Sequence, residues 1–271
     1  MLSAVHRSYL FVPANRPDRY AKACATRAHA VIVDLEDAVA PDAKASARAS
    51  LVEWLPRAPR PVLVRVNAIG TEWFDDDLRG CVAAANVQGL LLPKAERASD
   101  LHRLAVACPG TPVYPLIETA RGLWDVLPIA QTTGVRALLF GSLDFQADLG
   151  IDDDDLLYAR SQIVLASRVA GIEPPIDGVT QTIDDTELLR RDSYRARHLG
   201  FAGKACIHPA QVDIVNTCFA PTTDEIEWAQ RIVAAFSEAA GSAVRVDDRM
   251  VDRPVLLKAE AILRERVDPR D

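Results

Sequence analysis

Two acidic residues stand directly after apolar runs, where a charge is costly. Glu118 closes the run Val113-Tyr-Pro-Leu-Ile117, and Asp144 follows Ala137–Phe140 through Gly141-Ser-Leu. A carboxylate in such a place is expensive to desolvate unless it is paired or binds a cation. Two of them at equivalent points of successive strand–helix units, with no His or Cys cluster nearby, describe an all-oxygen site that suits Mg2+ rather than zinc. A hard cation of this kind takes one or two carboxylates and keeps positions for water and for a substrate's oxygens. Glu36 and Asp37, at the end of the apolar run Ala30–Leu35, are placed to hold such waters. Arg65 ends the run Val62-Leu-Val and offers a planar fork that matches a carboxylate through two parallel bonds. Metal and arginine together would trap a small oxo acid. Arg65 could also balance Glu36 or Glu118 structurally, and the two roles can coexist.

The remaining charged candidates have plainer readings. Asp152–Asp155 sits where a helix begins, which favours capping and dipole complementarity. Asp75–Asp77 reads as a solvated helical face, and Asp177 and Asn67 as loop residues capping helices. His208, in Cys-Ile-His-Pro, reads as a hydrogen-bonded structural group.

These residues need a frame that brings strand ends together. Eight short apolar runs recur: Tyr9–Val12, Ala30–Leu35, Val62–Val66, Gly89–Leu92, Val113–Ile117, Ala137–Phe140, Pro175–Val179 and Lys204–Ile207. Helical patterns such as Ala43–Leu55, Ser99–Cys108, Arg121–Thr132, Asp154–Ala170 and Asp184–Leu199 follow them. Continuous apolar strands linked by helices imply a parallel sheet covered on both faces. Eight units predict a (β/α)8 TIM barrel, α/β in class, whose C-terminal rim holds the chemistry. An open doubly wound sheet is disfavoured because no G-x-G-x-x-G follows the first strand. The barrel should occupy residues 1–220. A short C-terminal helical extension, 221–271, should carry a helix over Thr222–Ala240, a possible hairpin within Ser242–Arg249, and an amphipathic helix over Val255–Val267. This tail looks too small for its own core, so it should dock on the barrel or on a neighbouring subunit.

The chain has 271 residues and a net charge of −7, with no basic stripe to neutralise phosphates, which argues against a nucleic-acid partner. No apolar run approaches the roughly 20 residues that span a bilayer, and Met1–Phe11 lacks a signal-peptide core. Five cysteines without a C-x-x-C pair read as reduced thiols of a cytoplasmic protein.

The segments RSYLFVPANRPDRYAKA, VIVDLEDAV, VLVRVN, GLLLPKAE, PLIETARG, LLFGSLDFQADLG, GKACIHPAQ and MVDRPVLLKAEAIL, in order over nearly the whole chain, resemble the citrate lyase β-subunit-like family of the HpcH/HpaI aldolase superfamily. That family includes malyl-CoA and citramalyl-CoA lyases. The resemblance implies that Glu118 and Asp144 are Mg2+ ligands, that Arg65 grips the oxo acid, and that Glu36 and Asp37 hold metal-bound waters. It further implies that Phe11, Arg16 and Lys22 contact substrate or coenzyme A. Asp252 corresponds to an acid that the C-terminal segment brings to a neighbouring subunit's site, in a homo-oligomer that is often a trimer. Two departures stand out: Pro13-Ala14 replaces the usual Pro-Gly, and Asp248-Arg249 replaces the glycine before Met-Val-Asp.

The expected activity is Mg2+-dependent carbon–carbon cleavage or formation of a 3-hydroxyacyl-CoA, with acetyl-CoA and an oxo acid as the other partners. The rivals are a metal-dependent aldolase for free hydroxy-oxo acids, a non-catalytic subunit of a lyase complex, and a glycosidase using Glu118 and Asp144 as paired carboxylates. The last is disfavoured by an aromatic content of 6%, since sugar sites usually need stacking platforms.

Overall fold

The computed structural model describes residues 6–82, 84–152, 156–238 and 243–265. Asp153–Asp155 of the acidic run, the first five residues and the end of the tail lie outside this set. The chain divides into two compact units, His6–Asn216 and the stretch Thr217–Asp271 joined by Met1–Val5.

The first unit is a closed parallel barrel with strands in sequence order. They are β1 (Ser8–Pro13), β2 (Ala30–Asp34), β3 (Val62–Arg65), β4 (Val87–Leu92), β5 (Val113–Ile117), β6 (Leu139–Phe140), β7 (Ile176–Asp177) and β8 (Gly203–Cys206). Closure is made by β8 pairing with β1, Tyr9 opposite Ala205. The helices between strands are α1 (Pro17–Cys24), α2 (Lys44–Trp54), α3 (Phe74–Val82), α4 (Ala98–Ala107), α5 (Ala120–Trp124), α6 (Val126–Ala130), α7 (Ser142–Leu149), α8 (Leu157–Ala170) and α9 (Thr186–Leu199), with α10 (Pro209–Phe219) after β8. The single helix expected over Arg121–Thr132 is two, because Pro128 has no amide to bond back to residue 124.

Strand alternation explains why polar groups gather at one mouth. Tyr9, Ile32, Leu63, Tyr114, Leu116 and Leu139 point inward and pack together, with Phe11 against them. Two residues further along β2, β3 and β5, the same inward direction is taken by Asp34, Arg65 and Glu118. The apolar layer is thus the floor on which the charged layer stands.

The opposite alternation places Asp177 on the outer face of the barrel, under α8. It is fully buried, where a loop cap was expected. Arg160 donates from Nε to Asp177 Oδ1 at 3.0 Å, and Lys204, its register partner on β8, lies 3.4 Å from Oδ2 and bonds the Gly178 carbonyl at 2.6 Å. Burial alone would raise the Asp177 pKa, but Lys204 and Arg160 outweigh it and hold it below the ordinary value. Asp77 is likewise not solvated. It is buried in α3 and accepts from Arg48 Nε at 2.7 Å and from the Asn67 backbone and side-chain amides at 2.9 and 2.6 Å. Asn67 is therefore held by Asp77, which anchors the loop after β3.

The second unit contains α11 (Thr223–Glu238), a hairpin of β9 (Val244–Val246) and β10 (Arg249–Val251), and α12 (Arg253–Glu265). Thr222 and Glu225 cap α11 reciprocally: the Glu225 amide bonds the Thr222 hydroxyl at 3.2 Å and the Thr222 amide the Glu225 carboxylate at 2.8 Å. Contrary to the expectation of a coreless tail, Ala229, Ile232, Val251, Ala259 and Ile262 form an apolar cluster of their own. Among the described residues, no helix is long and apolar enough to cross a membrane.

Candidate active site

A cavity of about 430 Å³ opens at the C-terminal mouth of the barrel. Its lining brings together Phe11, Asp37, Arg65, Glu118 and Asp144, named from sequence, and adds Asp34, which the sequence reading passed over as one letter of an apolar strand. Glu36 reaches the same cluster through Arg65 and Lys94.

Asp34 organises the β2 side. Its two oxygens take Arg65 Nε and Nη2, each at 2.7 Å, and also accept from the backbone amides of Glu36 at 2.9 Å and Ala38 at 3.3 Å. One carboxylate therefore fixes both the arginine and the turn that carries Glu36 and Asp37. Arg65 Nη1 lies 3.0 Å from Glu36 Oε2 and 3.5 Å from Asp37 Oδ2. Of the five N–H donors of a guanidinium, Asp34 takes one on Nε and one on Nη2, and Glu36 faces one on Nη1. A donor remains on each Nη, so the end-on edge can still take a carboxylate. The Phe11 ring lies 5.2 Å from the guanidinium carbon and covers its flat face. Below the turn, buried Lys44 bonds the carbonyls of Leu35 at 2.9 Å and Glu36 at 3.0 Å, and its desolvation lowers its pKa.

Glu118 occupies the far wall. Its Oε1 accepts from the Lys94 amide at 2.7 Å, while its buried Oε2 has no hydrogen-bond partner among the described residues. Burial, then the charge of Glu36 and, more weakly, that of Asp144, push its pKa up to about 8 against the pull of the Lys94 amide. Lys94 adopts a left-handed backbone, φ +49, which aims this amide, and its ammonium bonds Glu36 at 2.6 Å. Strain of that kind in a non-glycine residue is typical of functional sites. Burial also raises the Glu36 pKa, although Arg65 and Lys94 pull the other way. Gly141 makes room for Glu118: a Cβ there would lie 2.5 Å from the Glu118 Cβ and 2.6 Å from its Oε2.

Asp144 enters from the first turn of α7. Among the described residues no group of three or more His, Cys, Asp or Glu side chains is disposed to hold a metal ion. What the cavity offers is a carboxylate pair, one member with an orphaned buried oxygen. That fits a hard cation which fills its remaining positions with water and ligand oxygens.

Four residues singled out in the sequence are not among those lining the cavity. Arg16 precedes α1, is exposed, and pairs with Asp18 at 3.0 Å; Lys22 is exposed on the same helix. Asp252 belongs to the second unit, where it is exposed and accepts from the Val255 amide at the start of α12 at 3.4 Å. His208 is exposed, and its Nδ1 lies 3.3 Å from the Ala210 amide at the start of α10. Lys94, named from sequence only as a strand-end residue, proves to touch both Glu36 and Glu118.

Residues 7–209 match the HpcH/HpaI aldolase/citrate lyase family, and residues 158–265 match a carbon–carbon bond lyase family of the TIM-barrel fold. The chain is 38% identical to a (3S)-malyl-CoA thioesterase of Cereibacter sphaeroides, over 94% of this chain and 95% of that one. It is 36% identical to a citrate lyase subunit beta-like protein of Deinococcus radiodurans, over 96% and 97%. The crystal structure of CitE from Mycobacterium tuberculosis in complex with magnesium, acetoacetate and coenzyme A superimposes with a TM-score of 0.86 at 35% identity, covering 97% of this chain and 98% of that one. With three quarters of its length matched and the same barrel beneath the match, this chain belongs to the HpcH/HpaI aldolase/citrate lyase family.

Proposed function

We propose that the protein is a Mg2+-dependent carbon–carbon lyase acting on a 3-hydroxyacyl-CoA of malyl, citramalyl or citryl type, releasing or joining an oxo acid and acetyl-CoA. The observation that carries this reading is Glu118 Oε2, a buried carboxylate oxygen with no hydrogen-bond partner among the described residues, on the cavity that Asp144 also lines. Glu118 and Asp144 would hold the ion, and Glu36 and Asp37 its waters. When bound, Mg2+ would acidify and polarise the hydroxyl that becomes the ketone. Arg65, with one edge locked by Asp34, presents its other edge to the oxo acid's carboxylate and fixes the breaking bond in line. The hydroxyl's proton would pass to solvent, electrons from the breaking bond would pass into the thioester carbonyl, and the resulting enolate would take a proton from an acid, assigned here to Asp252. Phe11, Arg16 and Lys22 are assigned to substrate and coenzyme A.

A homo-oligomer belongs to this reading, with Asp252 serving a neighbour's site. A groove of about 330 Å³ between α5, α7 and α8, edged by exposed Trp124 and Tyr158, supports an apolar contact surface.

The test is incubation of purified protein with acetyl-CoA and glyoxylate, pyruvate or oxaloacetate, with and without Mg2+. A new acyl-CoA that needs the metal supports the proposal, and none under any condition contradicts it. The Cereibacter sphaeroides relative favours a second reading, thioester hydrolysis. Release of free coenzyme A from a malyl-type thioester, without formation of acetyl-CoA, would identify that activity.

A further inference from the structure

We propose that the oxo acid taken by this site carries one carboxylate and a short apolar substituent, and that a second carboxylate is selected against. This rests on the lyase reading and narrows it. Among the described residues lining the cavity, Asp34, Asp37, Glu118 and Asp144 are acidic and Arg65 is the only cation. Arg65 faces Asp34, Glu36 and, at 3.5 Å, Asp37, and keeps its end-on edge, enough for one carboxylate. The nearby ammonium of Lys94 is bonded to Glu36. Ser142 supplies the only hydroxyl of that lining.

The rest of the wall is hydrocarbon. Leu116, Leu139 and Ala205 rise from the barrel interior, and Val179 and Ile207 continue the surface toward the rim. An oxo acid held by its carboxylate at Arg65 has to set its other substituent against this wall or out in the mouth. A methyl group there is removed from water at a gain of about fourfold in binding for each buried methylene-sized group. A carboxylate in the same place loses hydration, and the cations of the site, Arg65 and the Mg2+ that Glu118 and Asp144 would hold, are already engaged by the first carboxylate and the keto oxygen, while the charged side chains of the lining are four acids to one base. The chemistry thus points to a monocarboxylic 2-oxo acid such as pyruvate, ahead of a dicarboxylic one such as oxaloacetate.

The test compares pyruvate, glyoxylate and oxaloacetate on the full chain with Mg2+, by calorimetric Kd and by kcat/KM with acetyl-CoA. Products are identified by mass, because oxaloacetate decays to pyruvate. Pyruvate is expected to exceed glyoxylate by about fourfold and oxaloacetate by on the order of tenfold or more. Ile207→Arg, on the exposed part of the wall, should bring oxaloacetate to within about threefold of pyruvate by supplying the missing cation. Native protein that binds and uses oxaloacetate as well as pyruvate overturns the proposal while leaving the lyase reading intact. An unchanged ratio in a folded Ile207→Arg variant overturns the claim that the missing cation sets the preference. Neither binding nor turnover with any of the three removes the lyase reading and this proposal together.

Discussion

Asp34 and Arg65 face each other in the register of β2 and β3, and their side chains close a two-bond pair at 2.7 and 2.7 Å just above the apolar floor of the barrel. The arginine expected to grip a substrate is thus held by a neighbouring strand before any substrate arrives. Arg65→Lys keeps the charge but loses the fork, and should cost about 2 kcal/mol or more of transition-state binding. Asp34→Asn should leave Arg65 charged but unaligned, weakening oxo-acid affinity while coenzyme A binds as before. Steady-state kinetics and separate titrations of the two ligands check both variants. Native kcat/KM in both would mean that the pair serves stability alone.

Gly141 sits at φ −90, so it is needed for space and not for backbone freedom. In Gly141→Ala the new methyl group meets the Glu118 side chain at 2.5 Å and must displace it. Mg2+ affinity should fall by about tenfold, the scale on which disturbed ligand geometry is felt at metal sites, with the helical circular dichroism retained. Unchanged Mg2+ affinity would separate Glu118 from the metal.

The barrel was legible because its strands are continuous apolar runs separated by helical periods, and Arg65 and Glu118 were legible because charges end those runs. Asp34 was not, since its role depends on facing inward beside Arg65, which is visible only once β2 and β3 are paired. Asp77 and Asp177 were misread for a related reason. An acid near a loop looks solvated until Arg48 in the one case, or Arg160 and Lys204 in the other, folds over it from a distant part of the chain.

Asp177 makes a prediction about stability. Its pKa is depressed in the folded protein, so its contribution is present above the unfolded carboxylate value of about 3.9 and is lost as pH falls below that value. Asp177→Asn leaves Arg160 and Lys204 with less compensation and should cost about 3–5 kcal/mol at neutral pH. Below about pH 4 the gap between variant and native protein should narrow. Denaturant melts across pH would refute this by showing a constant gap or none.

Asp252 is exposed at the start of α12, where, among the described residues, its side chain accepts from the Val255 amide. If it protonates the enolate in a neighbour's site, Asp252→Ala should bind Mg2+ and oxo acid normally yet fail in turnover. Inactive Asp252→Ala and Glu118→Ala subunits, assembled together, should recover part of the activity. Mixed oligomers that form and stay inactive would exclude a shared site.

The most direct test of the account is calorimetric titration of Mg2+ into native protein, Glu118→Gln and Asp144→Asn. Glutamine and asparagine keep the size of the side chains and remove the charge. Native protein should bind the ion, and each variant should bind it about tenfold or more weakly, with proportionate loss of turnover. Equal Mg2+ affinity in all three proteins would contradict a metal centre built on these two carboxylates.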